Sequence, residues 1–93
     1  MLIAIDYDKT ITADRLFWHE FLGMVRSRGH YAIVATGRKS TAPIDDGTKR
    51  LVMSVVYCGD RMKSWAVEQA GYNVDIWIDD EPGHIEPQRK LSW

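Results

Sequence analysis

Four short aliphatic runs, Leu2–Tyr7, Tyr31–Ala35, Val52–Tyr57 and Val74–Ile78, recur along this chain. Runs this short, rich in aliphatic residues and bounded by polar ones, predict buried strands. Between the first two, Asp14 to about Ser27 sets Leu16, Phe17, Phe21, Leu22, Met24 and Val25 at helical spacing. Asp14 is a candidate N-cap there, and Gly29 a candidate stop. Between the last two, Asp60 to Ala70 predicts a helix carrying Met62, Trp65, Ala66 and Gln69, ended by Gly71. Residues 38–50 hold Pro43, Asp45, Asp46 and Gly47 and read as a loop, with a short helix near Thr48–Leu51. The tail from Glu81, with Pro82, Gly83 and Pro87, reads as irregular. Strands alternating with helices predict parallel pairing through right-handed crossovers. The expected fold is a three-layer, Rossmann-like α/β sheet of about four strands, a single domain over residues 1–93.

Charge removes several partners. Twelve basic residues against thirteen acidic ones give a net charge of -1, so no strong nucleic-acid binding and no attachment to an anionic membrane are expected. Cys58 is the only cysteine, which forbids an intramolecular disulfide. The first apolar run is too short for a signal peptide or a membrane span. A soluble, reducing, cytoplasmic setting follows as the expectation. Cys58 reads as a small buried hydrophobe. His19, His30 and His84 lack ligand spacing and read as surface or core residues. Trp18, Trp65 and Trp77 are assigned to the core, and Trp93 is a candidate contact residue.

The chemistry-bearing residues fall at strand ends. Asp6 and Asp8 leave the first run, Thr36-Gly37-Arg38 the second and Asp79-Asp80 the fourth. Open parallel sheets bind ligands beyond the carboxyl ends of their strands, where strand order reverses. Phosphoryl transfer needs a nucleophile, a proton carrier and positive charge facing the phosphoryl oxygens. Asp6 and Asp8 can divide the first two roles. Crowding them with Asp79 and Asp80 calls for a hard cation, and Mg2+ suits an all-oxygen site. Lys63, heading the second long helix, can balance charge and hold a phosphoryl oxygen, with Lys49 as its rival. Thr36 offers a hydroxyl, Gly37 a backbone amide open to close approach, and Arg38 is a candidate substrate contact.

In order, these pieces are strand-DxDxT at Asp6–Thr10, strand-Thr at Thr36, Lys63 at a helix start, and strand-DD at Asp79-Asp80. The ordered set resembles the haloacid dehalogenase-like (HAD) hydrolase superfamily and runs from residue 2 to about residue 82. The resemblance implies a magnesium-dependent phosphatase acting on a phosphate monoester, with Asp6 as nucleophile and Asp8 as general acid/base. It implies Mg2+ held by Asp6, the backbone carbonyl of Asp8, and one of Asp79 or Asp80. An aspartate at position 8 favours phosphoryl transfer over halide displacement.

Two departures stand out. The 25 residues between Thr10 and Thr36 leave no room for the cap domain usual in that superfamily, and neither do residues 38–51. The expected site is open, reached by a bulky phosphorylated substrate or covered by a second copy in a homo-oligomer. About thirteen residues follow Asp80, so the further strand and helix common in relatives are not expected. A phosphotransferase using the same residues, or a non-catalytic module binding magnesium or phosphate, are the alternatives. A receiver-like domain ranks last, because Asp60 is displaced from the end of its strand into the next helix start.

Overall fold

The computed structural model describes residues 1–86. Strand β1 (Leu2–Ile5) leads through one 3-10 turn (Ile11–Ala13) to helix α1 (Arg15–Ser27) and strand β2 (Tyr31–Thr36). The one-turn helix α2 (Asp46–Lys49), strand β3 (Ser54–Tyr57), helix α3 (Lys63–Gln69) and strand β4 (Ile76–Ile78) follow, with a closing 3-10 turn at Pro82–His84. The four strands form one all-parallel sheet in the order β3-β2-β1-β4. This is the helix-flanked α/β architecture that the alternating runs predict. Among the described residues, no helix is long and apolar enough to cross a membrane.

Alternation along the strands divides the core in two, because successive side chains point to opposite faces. Ile3, Ile5, Ala32 and Val34 pack with Leu22 and Val25 of α1 on one face. Ala4, Ile33 and Ala35 pack with Ala66 and Val67 of α3 on the other. Ala4 and Ala35 present only short side chains to α3. Lys63, the first residue of that helix, is buried.

The ends of the elements follow local chemistry. The Asp14 carboxylate caps α1 by accepting the Phe17 N–H at 3.1 Å, and Gly29 turns the chain at φ 77. β1 stops at Ile5, which frees residues 6–10 to turn. The third strand starts at Ser54 instead of Val52, although the Met53 N–H still reaches the Ala32 carbonyl at 2.8 Å. The fourth starts at Ile76 instead of Val74. The last helix begins at Lys63, not Asp60. Gly59, at φ 60, and the Arg61 N–H to Cys58 carbonyl bond first close a turn there.

Trp65 is a correction. It is 50% exposed, because Lys63, Ala66 and Val67 occupy the buried stripe of α3. Its ring carries the Arg61 guanidinium at 5.5 Å instead of core neighbours. Trp18 and Trp77 are half-buried against the two core clusters. On α1, Leu16, Phe17 and Met24 face outward while Leu22 and Val25 are buried. Cys58 is buried as expected, and burial pushes its thiol pKa up. Pro87 and Trp93 lie outside the described residues.

Candidate active site

The chain steps from β1 outward to β2 and β3, then returns to β4 on the far side of β1. The switch point of the sheet therefore lies between β1 and β4, at their carboxyl ends. Asp6 follows β1 there, and its N–H is held by the Ile78 carbonyl at 2.9 Å. Asp79 and Asp80 follow β4. The topology thus brings together residues more than seventy positions apart.

At the centre is a buried lysine between two carboxylates. Lys63 Nζ donates to Asp6 Oδ1 at 2.7 Å and to Asp79 Oδ2 at 2.6 Å. The Lys63, Asp6 and Asp79 side chains are 3%, 8% and 2% exposed, so water screens this ion triad little. The other oxygen of Asp6 accepts the Thr10 hydroxyl at 3.1 Å, and the same hydroxyl lies 3.4 Å from Asp80 Oδ1. Asp79 Oδ1 accepts the Glu81 N–H at 2.9 Å. Lys9, at φ 64, sits in the turn that carries Thr10 back beneath Asp6. Lys49 lies on α2 and pairs with its neighbour Asp46 at 3.8 Å. Of the two candidate lysines, the geometry brings Lys63 to the carboxylates.

Asp6, Asp79 and Asp80 each offer one oxygen within 4.8 Å of the others. One lysine does not balance three carboxylates. Burial pushes the Asp6 carboxyl above its ordinary value, and the neighbouring Asp80 and Asp79 add to this against the pull of Lys63. Asp80 is held below its ordinary value, first by its contact with Asp6 and then by the Thr10 hydroxyl. Of these crowded carboxyls, Asp6 is thus the one whose charged form is held less favourable. Burial alone would lower the Lys63 value, but hydrogen bonds to Asp6 and Asp79 outweigh it and keep the ammonium charged. An all-oxygen group with excess negative charge fits a hard divalent cation.

Asp8 stands apart from that group. Its carboxylate takes a two-pronged bond from Arg38, Nε to Oδ2 at 2.9 Å and Nη2 to Oδ1 at 2.8 Å. The Arg38 hydrogen bonds hold the Asp8 carboxyl below its ordinary value. Any contribution of Asp8 to a cation is left to its backbone carbonyl. Thr36 is fully buried, and its hydroxyl accepts the Arg38 N–H at 3.1 Å. A Cβ added at Gly37 would meet only the Gly59 carbonyl at 3.9 Å, so packing alone does not demand glycine there. A cavity of about 320 Å3 opens beside Gly37 and Lys63, with Arg61, Met62 and His84 in its wall.

The histidines have structural partners. His19 bonds the Thr48 hydroxyl at 2.9 Å, His30 the amino terminus at 2.7 Å, and His84 pairs with Glu81 at 2.9 Å.

Three contributors were given no role of their own by the sequence. Thr10 bridges Asp6 and Asp80, and its only signal is its place in the DxDxT spacing. Tyr7, buried between the two motif aspartates, donates its hydroxyl to Asp45 Oδ1 at 2.6 Å. Asp45 also accepts from the Thr48 N–H and hydroxyl, both at 2.9 Å. In sequence it is one more loop acid.

The Asp45 network has a measurable consequence. Burial alone would raise the Asp45 carboxyl, but bonds from Tyr7, Thr48 and Arg15 outweigh it and hold it well below the usual range. A depressed carboxyl stabilises the fold above the unfolded value of about 4, and that stability is lost as pH falls below it. Asp45→Asn is expected to melt lower than the parent at neutral pH. The gap should narrow as the pH is brought below about 4, read from thermal melts across pH.

Comparison with protein-family models, curated proteins and solved structures gives no match to this chain.

Proposed function

We propose that this chain is a magnesium-dependent phosphatase of haloacid dehalogenase-like type, hydrolysing phosphate monoesters through a phosphorylated Asp6. The observation that carries the reading is the group at the sheet's switch point. A buried lysine there joins Asp6 to Asp79, with Asp80 completing a three-carboxylate cluster. Ordinary packing gives no reason to bury the Lys63, Asp6 and Asp79 side chains together.

In the first step an Asp6 oxygen attacks phosphorus and the bond to the leaving oxygen breaks. The electron pair departs on that oxygen, which takes a proton from Asp8. In the second, Asp8 as carboxylate takes a proton from water while the water oxygen attacks phosphorus. The bond to Asp6 then breaks, freeing phosphate and the Asp6 carboxylate. Arg38 keeps resting Asp8 ionised, the form the second step uses. The first step requires Asp8 to take up a proton as the ester enters.

Lys63 offers positive charge beside the nucleophile, and Thr36 and Gly37 lie at the neighbouring strand end. Asp6, the Asp8 backbone carbonyl and Asp80 would hold Mg2+. Asp80 suits this better than Asp79, whose two oxygens are already taken by Lys63 and the Glu81 N–H. When bound, the ion neutralises charge on the transferring phosphoryl oxygens. The single, buried cysteine fits a reducing, cytoplasmic setting.

The reading is tested by a panel of phosphate esters with magnesium or with EDTA. Turnover of at least one ester in magnesium, falling by about 100-fold or more in EDTA, is the expected result. Metal binding without hydrolysis of any ester would favour a non-catalytic module.

A further inference from the structure

Every nitrogen of the Arg38 guanidinium has an acceptor within the protein, although the side chain is 33% exposed. Nε and Nη2 grip the two Asp8 oxygens, and Nη1 donates to the carbonyls of Ala42 and Pro43 at 3.4 and 3.2 Å. Its plane lies over the Tyr7 ring at 5.0 Å. Tyr7 is in turn fixed through its hydroxyl, which donates to Asp45, accepts the Asp45 N–H at 3.2 Å and receives Arg15 Nη2 at 3.2 Å. A continuous set of contacts thus runs from the Asp45 loop through Tyr7 and Arg38 to one carboxylate. A side chain kept free for substrate would leave nitrogens unpaired; Arg38 leaves none.

Asp8 needs such a hold. Its side chain is 49% exposed and, apart from Arg38, no side chain in the described structure donates to it. Two residues earlier in the chain, Asp6 belongs to a carboxylate cluster suited to a cation. A free Asp8 carboxylate would be drawn to a cation bound there, becoming a ligand instead of a proton carrier.

We infer that Arg38 is a positioning residue: its two-pronged bond keeps Asp8 out of the cation cluster and aimed at the leaving group. This inference rests on the phosphatase reading above. It replaces the substrate contact that the TGR sequence suggested for Arg38. A positioning residue acts only through the residue it positions, which a substrate-binding residue does not.

The test is a double-mutant cycle with Asp8→Asn, Arg38→Gln and both together, read as kcat/KM on p-nitrophenyl phosphate and on an alkyl phosphate. This ratio covers the steps up to formation of the Asp6 phosphoryl group, in which Asp8 hands its proton to the leaving group. Nitrophenolate leaves without a proton, whereas an alkoxide does not. Arg38→Gln is expected to lose about 100-fold on the alkyl ester, as a misplaced catalytic group does, and less than about 5-fold on the nitrophenyl ester. In the Asp8→Asn background it should cost nothing further. Arg38→Lys, which retains the charge and the loop contact but loses the fork, should fall between and guards against misfolding of the glutamine variant.

Equal losses on both esters, or losses that multiply in the double variant, would overturn the positioning role while leaving the phosphatase reading intact. Absence of wild-type turnover of either ester would overturn both.

Discussion

Asp6→Asn is expected to lose turnover by about 10⁴-fold or more while the protein stays folded, as removal of a nucleophile does in other covalent mechanisms. The second half of that expectation comes from the site's charge balance. Asp6 has a raised carboxyl value, caused first by burial and then by Asp80 and Asp79. Its ionised form is therefore less favourable in the folded chain than in the unfolded one. That penalty is absent below the unfolded value of about 4 and complete above the raised folded value. Asparagine removes the charge but retains an oxygen for the Lys63 ammonium, which also keeps Asp79 at 2.6 Å. The melting temperature in EDTA should stay within about 5 °C of wild type, since 1 kcal/mol moves a domain this small by about 4–8 °C. Magnesium should raise the wild-type melt more than the variant's, because a ligand of the folded state stabilises in proportion to its affinity. Circular dichroism melts with and without magnesium, beside ester hydrolysis, check all three parts.

Lys63→Met should be the most destabilising single change at the site. Among the described residues, the ammonium is the only cation bonded to the buried Asp6 and Asp79 carboxylates, which are 8% and 2% exposed. Removing one partner of a buried ion pair costs about 3–5 kcal/mol, because the charge left behind is neither solvated nor paired. For a domain of this size that is a fall of roughly 15 °C or more. Magnesium should restore part of the loss by supplying positive charge to the same carboxylates. Lowering the pH should narrow the gap as well, since Asp6 takes up a proton more readily than an ordinary aspartate. Lys49→Met is the control. Lys49 is 41% exposed and pairs with Asp46 at 3.8 Å, and exposed pairs of this kind contribute about 0–1 kcal/mol. A Lys63→Met melt matching the control would show that the buried triad does not hold the fold as described.

The sheet was legible because each strand is a short aliphatic run and the connections alternate. Alternation fixes the faces: Ile3 and Ile5 go one way and Ala4 the other. The switch point follows from parallel pairing once the fourth strand returns beside the first. Asp6, Lys63 and Asp79 could therefore be named before their contacts were seen. What resisted reading was set by tertiary geometry. Trp65 was assigned to the core by its bulk, yet the helical stripe facing the sheet is filled by Lys63, Ala66 and Val67. The start of the last helix was misplaced because the turn through Gly59 is completed before helical hydrogen bonding begins. Arg38 was read as a candidate substrate contact because nothing in a single sequence says that Asp8, thirty positions earlier, faces it. Asp45 and Tyr7 are joined by one hydrogen bond across 38 positions, a pairing no local pattern encodes.

The central claim is that Asp6 carries the phosphoryl group during turnover. Mass spectrometry of protein quenched in acid during turnover of a phosphate ester with magnesium tests it most directly, with Asp8→Asn used to slow release. The account predicts one added phosphoryl group on the peptide containing Asp6, absent from Asp6→Asn. Steady turnover with no phosphorylated peptide, or with the group on any other residue, would contradict it.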